Sequence, residues 1–204
     1  MVSKMGDKKY SYCSGKSRID VPCRKVGRVW VQTPSEAAFV LTLDNDPEVK
    51  TFATQPGSFK YKGKQFQPDF LVEYYDGRYK FIEVHSRNYQ NDKFKERTAL
   101  FEKGFYELFG AEFSLVFNDE IDLTYVRNIE HLFQYRRITE TDINKIIRLA
   151  WFLPEKLILG EAEQYLKEQM GSGFSIRALM WLRLYDFDWY KKIDEHTQIT
   201  RAVM

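Results

Sequence analysis

Apolar residues recur along this chain with two different periods. Between residues 67 and 85, the runs Phe70-Leu71-Val72 and Phe81-Ile82 flank Tyr75-Asp76-Gly77. Turn residues between two β-favouring runs predict a β-hairpin. Between residues 91 and 109 the period lengthens, and Phe94, Thr98, Phe101, Phe105 and Leu108 fall on one helix face. Gly110 is suited to end that helix, and Phe113 to Phe117 reads as a buried strand. Upstream, Thr33-Pro34-Ser35-Glu36 predicts a helix start: Thr as cap, Pro in the first turn and Glu three residues after the cap. That helix runs to about Leu43, and Asn45-Asp46-Pro47 stops it. Strands are expected over residues 49–54 and 59–66, the second broken at Lys62-Gly63-Lys64. Residues 1–32 read as irregular apart from a short strand at 28–31. The order helix, three strands, helix, strand predicts an α/β unit with a mixed sheet flanked by helices.

After Asp119 the pattern becomes helical. A connecting helix is expected over 123–135, then helices over 140–152, 155–170 and 175–184, with a Gly171-Ser172-Gly173 turn and a strand-like segment at 185–190. Helix, helix, glycine turn, helix, strand is a winged-helix order. The predicted organisation is a basic arm at 1–28, an α/β domain at 29–137, and a small winged-helix-like α(+β) domain at 138–204.

Composition adds bounds. With 44% apolar and 16% aromatic residues among 204, the chain can bury a substantial core. No run of eighteen apolar residues or apolar leader stands in it, so a cytoplasmic, nucleoid-associated protein without a membrane partner is expected. Cys13 and Cys23 lack the further ligands of a zinc motif and read as ordinary thiols. Net charge is +2, but residues 1–28 carry +6 and the remainder −4. That asymmetry suits either a solvated tail or a polyanion partner.

The hairpin carries the candidate chemistry. A two-residue Asp76-Gly77 turn would put Asp69 and Glu83 on opposite faces, because side chains alternate along a strand. A three-residue Tyr75-Asp76-Gly77 loop, with Gly in the left-handed bulge position, pairs Asp69 directly with Glu83. The loop chemistry favours the second register; a bulge after Pro68 would rescue the first. Two carboxylates about 5 Å apart across a strand pair repel unless a cation joins them. Hard oxygen donors suit Mg²⁺ or Mn²⁺. The alternative is a pair of edge carboxylates bonded to Lys or Arg. Glu36 has two readings as well, a third carboxylate for the same metal or the far half of a capping box.

A helix bearing Glu36, then Gln55-Pro56, Pro68-Asp69 entering a strand, and Glu83-Val84-His85 leaving the next resembles the PD-(D/E)xK nucleases. Within that restriction-endonuclease-like superfamily the chain is most similar to the TnsA-type endonuclease subunits of heteromeric transposons, over roughly residues 30–200. The resemblance implies Glu36, Asp69 and Glu83 as catalytic or metal-binding carboxylates, the Val84 carbonyl as a further ligand, and Gln55 in support. It implies Mg²⁺ (or Mn²⁺) as cofactor and double-stranded DNA at a transposon end as substrate. The implied partners are a strand-transferring transposase and an AAA+ regulator. Where the family carries a lysine, this chain has His85. A neutral imidazole can take a proton from water, and its cation can bind phosphate. The departure therefore opens three readings: a working endonuclease, a weakened or inactive DNA-binding assembly subunit, or a stand-alone phage- or repair-type nuclease. Lys93 and Lys95 are candidates for a displaced lysine. Lys60, Lys62 and Lys64, with Arg87 and the following Lys93, Lys95 and Arg97, are candidate phosphate contacts; solvated surface cations are the plain alternative. In the helix at 175–184 only Arg177 and Arg183 could read a groove, so core packing or protein contact is the expected role.

Overall fold

The computed structural model describes residues 18–137, 140–170 and 175–202. Its centre is a mixed four-stranded sheet in the order β3 (Val49–Thr54), β6 (Phe70–Tyr74), β7 (Tyr79–His85), β8 (Glu112–Phe117). The first three strands run antiparallel and β7 pairs β8 in parallel. A parallel neighbour needs a crossover, which α2 (Asp92–Phe109) supplies. Asn91 caps α2 through its side chain, and Gly110 ends it at φ 62°, a left-handed position that costs glycine little.

Helix α1 (Pro34–Asn45) covers the opposite face. Thr33 accepts the Glu36 N–H, and Phe39 meets Phe70 edge-on at 5.2 Å. Against α1 lies a hairpin, β1 (Ile19–Cys23) with β2 (Gly27–Val31). The expected basic arm is thus a folded hairpin from residue 19 onward, with Val21, Cys23, Val29 and Val31 buried; residues 1–17, Cys13 among them, lie outside the described residues. The alternation that builds this hairpin is interrupted in the sequence by Pro22, which a two-stranded ribbon tolerates because one strand edge is open. Buried Asp44 accepts the Arg24 and Lys25 N–H groups at 2.8–2.9 Å, tying the hairpin to the end of α1. Burial, with Asp44 and Asp20 nearby, pushes the Cys23 thiol up to about 12.

The strand expected at 59–66 with a break at Lys62-Gly63-Lys64 is a hairpin of its own, β4 (Phe59–Tyr61) and β5 (Lys64–Phe66), turning at that break through Lys62 and Gly63, both at positive φ. It packs beside α2, where Gly104 leaves room for the Tyr61 ring.

The C-terminal part begins after α3 (Leu123–Phe133) and a short 3-10 turn at Gln134–Arg137. It comprises α4 (Glu140–Phe152), β9 (Lys156–Ile158), α5 (Leu159–Met170), α6 (Ile176–Trp181), β10 (Tyr185–Asp186) and β11 (Gln198–Arg201). The helix expected from 155 starts at Leu159 because the preceding residues pair with β11, and the strand-like stretch at 185–190 is a strand for two residues only. The glycine turn at 171–173 lies outside the described residues. The small sheet has the order β10-β11-β9, antiparallel throughout. Buried Asn128 of α3 donates to the Trp189 and Lys191 carbonyls at 2.8 and 2.7 Å and accepts the Ile193 N–H. One aliphatic-rich core runs from the first hairpin through α1, α3 and α6 to β11; a second, aromatic cluster lies between the sheet and α2. No helix among the described residues is long and apolar enough to cross a membrane.

Candidate active site

Register decides what the hairpin presents. Phe70 pairs with Ile82, Leu71 with Phe81, Val72 with Lys80 and Glu73 with Tyr79. Tyr74 N–H bonds the Arg78 carbonyl at 3.0 Å and Gly77 N–H the Tyr74 carbonyl at 3.1 Å, with Gly77 at φ 86°. The loop is therefore Tyr75-Asp76-Gly77. The same register, continued one residue beyond the start of β6, sets Asp69 opposite Glu83. Strand alternation places Glu83 and His85 on the face of Leu71 and Phe81, the face that packs on α2; Asp69, in a bend just before β6, turns its carboxylate to the backbone of β7.

Asp69 is anchored at both ends. Its Oδ2 accepts the Val84 N–H at 2.8 Å, and its carbonyl accepts the Gln55 N–H at 2.6 Å. Gln55 itself sits at φ 47°, a conformation uncommon outside glycine and asparagine and one that clusters where surroundings over-determine the backbone. Its Oε1 accepts from Gln32 Nε2 at 2.9 Å and Gln67 Nε2 at 3.3 Å. The Gln32 N–H in turn donates to Glu36 Oε2 at 3.0 Å, while Thr33 Oγ1 donates to Oε1 at 2.9 Å. Glu36 is thus buried at the start of α1, capping in a variant of the expected box: its carboxylate takes the Gln32 N–H and the Thr33 hydroxyl rather than the Thr33 N–H. It reaches Asp69 through Gln32 and Gln55, and no hydrogen bond between Glu36 and Glu83 is found among the described residues. Among the described residues no group of three or more His, Cys, Asp or Glu side chains is placed to hold a metal. Asp69, just before β6, and Glu83, in β7, stand at the same end of the hairpin, and Glu36 is not gathered with them as a third ligand.

Glu83 has two basic residues beside it, Arg97 and His85. Arg97 Nη2 lies 3.0 Å from its Oε1 and His85 Nδ1 lies 3.8 Å from the same atom. The first distance is a charge-assisted hydrogen bond and the second is too long for one. Burial raises the Glu83 carboxyl above its ordinary value, and Arg97 and His85 only partly offset this. His85 stacks on Phe94 of α2 at 4.1 Å and 13°. Its Nε2 is buried with no hydrogen-bond partner among the described residues, so the imidazole is turned toward Glu83 and the α2 packing rather than outward.

No family model matches the chain, and no curated protein matches it. The site is therefore read from its own geometry.

The candidate phosphate contacts divide. Lys93 and Lys95 are exposed on the first turn of α2. Arg87 is committed elsewhere, bonded to Asp119 at 2.6 Å and Glu120 at 2.7 Å and lying over the Phe117 ring. Lys60, Lys62 and Lys64 are exposed but do not form one basic face: Lys60 pairs with Gln65 and Lys64 with Tyr61, on opposite faces, with Lys62 in the turn between them. The glycine turn folds what would have been a single strand. Arg177 is bonded to Glu163 at 2.8 Å, and Arg183 lies over the Trp189 ring and donates to the Asn45 carbonyl. With Ile176, Ala178, Leu179, Met180 and Trp181 buried, α6 is a packing helix.

Sequence reasoning gave Arg97 no role at the two carboxylates. The available signal was its spacing. Residues three and four apart share a helix face, so Arg97 lies with Phe94 and Phe101, both of which point at the sheet.

Proposed function

We propose that this chain is a divalent-metal-dependent DNA endonuclease with a PD-(D/E)xK-type centre, acting as the cleaving subunit of a heteromeric transposase. The observation that carries the reading is the three-residue hairpin register, which carried one residue past Phe70 and Ile82 sets Asp69 opposite Glu83, together with the bond from the Val84 amide to Asp69. Two carboxylates and the Val84 carbonyl at one end of a hairpin form a hard-oxygen donor set, and that chemistry fits Mg²⁺ or Mn²⁺. Glu83, whose charge is disfavoured by burial, is a group that gains from a cation. When bound, the metal would polarise a phosphodiester oxygen and acidify a water.

The chain's own residues do the rest. Asp69 and Glu83 would hold the cation, and the Val84 amide holds the Asp69 carboxylate in place. Glu36 acts on the site by positioning, through Gln32 and Gln55, and as the cap of α1. Lys93 and Lys95 supply exposed charge for the DNA backbone. For the C-terminal part, the order α4, β9, α5, α6, β10, β11 with β11 between its neighbours supports a winged-helix-like unit. Its packed third helix favours contact with the transposase and the AAA+ regulator over base reading.

One observation favours a second reading, a weakened or inactive assembly subunit. His85 buries Nε2 beside Phe94 and does not offer it to a substrate as the family lysine would be offered. Relaxation of supercoiled plasmid in Mn²⁺ or Mg²⁺ separates the two. The endonuclease reading expects cutting by the unaltered chain and none by Asp69→Ala. Cutting that emerges only in His85→Lys supports the assembly subunit. Equal, metal-independent nicking by all three proteins contradicts the assignment.

A further inference from the structure

Arg97 and Arg87 both meet carboxylates near the end of β7, but in different ways. Arg87 is held by two acids and an aromatic ring. Arg97 makes one hydrogen bond, Nη2 to Glu83 Oε1. No other hydrogen bond of its guanidinium is found among the described residues. The Glu83 side chain is 13% exposed and the Arg97 side chain 46%, so the carboxylate is the fixed partner and the guanidinium the movable one. Arg97 and the His85 ring both fall on Oε1, and no hydrogen bond or ion pair of Oε2 is found among the described residues. The rings of Phe94 and Phe66 stand 5.6 and 5.7 Å from the guanidinium carbon, flanking it with apolar surface that leaves its outward donors unmatched.

We infer that Arg97 is an exchangeable counter-ion. It pairs with Glu83 in the absence of a divalent cation and turns to a DNA backbone phosphate when a cation takes over the carboxylate. The inference rests on the metal-dependent reading above and assigns the site a phosphate-binding residue. The physical reason is charge balance. A divalent ion and a guanidinium sharing one carboxylate repel each other at a few ångströms, where screening by water is incomplete. A phosphate brings the missing negative charge, and a guanidinium matches its oxygens with two parallel donors. An arginine fixed by two acids, as Arg87 is, could not make that exchange.

Two measurements test this, and neither reads cleavage. Calorimetric titration with Mn²⁺ is expected to show Arg97→Ala binding the ion about fivefold more tightly than the unaltered chain, the scale of one half-exposed ion pair. Arg97→Lys falls between them, and Glu83→Gln loses the site. Fluorescence anisotropy with duplex DNA in Ca²⁺ is expected to show the slope of log affinity against log salt reduced by about one in Arg97→Ala and preserved in Arg97→Lys. Mn²⁺ affinity unchanged or weakened in Arg97→Ala, or a full salt slope in that variant, overturns the exchange. Full Mn²⁺ affinity in Glu83→Gln overturns both the exchange and the metal centre. If Arg97→Ala binds Mn²⁺ more tightly and loses its unit of slope while no protein cuts plasmid, the endonuclease reading fails and the exchange stands.

Discussion

The two faces of β6 and β7 are built from the same strands and used differently. On one face Phe70, Val72 and Ile82 join a core shared with α1, the first hairpin and the C-terminal helices. On the other, Leu71 and Phe81 meet a separate aromatic cluster, in which Phe66 stacks on Phe101 at 4.0 Å and Phe81 on Phe105 at 4.2 Å. That cluster ends before the strands do. Past its edge stand Glu83 and His85, with Asp69 at the same end of the hairpin; Arg97 meets Glu83 and Phe94 meets His85 from the first turns of α2. Carboxylates can be held half-buried here because the packing layer stops short, whereas the aliphatic face has no such margin. A site placed at the rim of a small cluster can change its partners without disturbing the larger core.

The largest expected effects break this contrast at its source. Phe70→Ala removes a fully buried ring from the shared core and should cost about 3–5 kcal/mol. Denaturant titration followed by tryptophan fluorescence should show Trp181 and Trp189, in the same core, lost in the same transition. Separate transitions for the two halves would show that the core is not one unit. On the aromatic face, Gly104→Ala would set a Cβ 2.8 Å from the Tyr61 ring and should cost about 1–3 kcal/mol by overpacking. Thermal melts measure the cost. Hydrogen exchange should place the loosening in β4, β5 and α2, leaving α1 protected.

Much of this was legible in the chain. Tyr75-Asp76-Gly77 specifies a loop length, loop length specifies register, and register sets Asp69 opposite Glu83. Thr33-Pro34-Ser35-Glu36 specifies both the start of α1 and the capping role that Glu36 adopts. What was hidden depends on contacts distant in sequence. The strand Lys156–Ile158 exists because Gln198–Arg201 pairs with it, and alone its residues continue a helical pattern. The hairpin at 19–31 carries the right alternation, but Pro22 and the surrounding cations disguise it as a tail. The basic strand at 59–66 failed as a single face because Lys62-Gly63 is a turn. The Glu83–Arg97 pair joins a strand to the second turn of a helix across fourteen residues, where only the spacing of Phe94, Arg97 and Phe101 pointed.

Smaller effects sharpen the account at the rim. Asp69→Ala deprives the Val84 N–H of its acceptor and should cost about 1–2 kcal/mol in a urea melt. Arg97→Ala should change stability by less than about 1 kcal/mol, since its pair is half exposed, and so leave the fold intact for the titrations above. On the aliphatic side, Cys23 offers a pH test. Its thiol is held up to about 12 in the folded chain against an ordinary value of 9.0. The folded state then keeps a proton that the unfolded state releases, so stability is lost as pH rises from about 9 toward 12. Cys23→Val should flatten that alkaline slope, and in a Cys13→Ser background the native thiol should resist labelling at pH 8 until denaturant is added.

The proposed metal centre at the rim of the aromatic face is tested most directly by anomalous diffraction from crystals soaked in Mn²⁺. A manganese peak coordinated by Asp69, Glu83 and the Val84 carbonyl is expected, with the Arg97 guanidinium moved off Glu83. Crystals that show no peak there, with Arg97 still paired to Glu83 at saturating Mn²⁺, would contradict it.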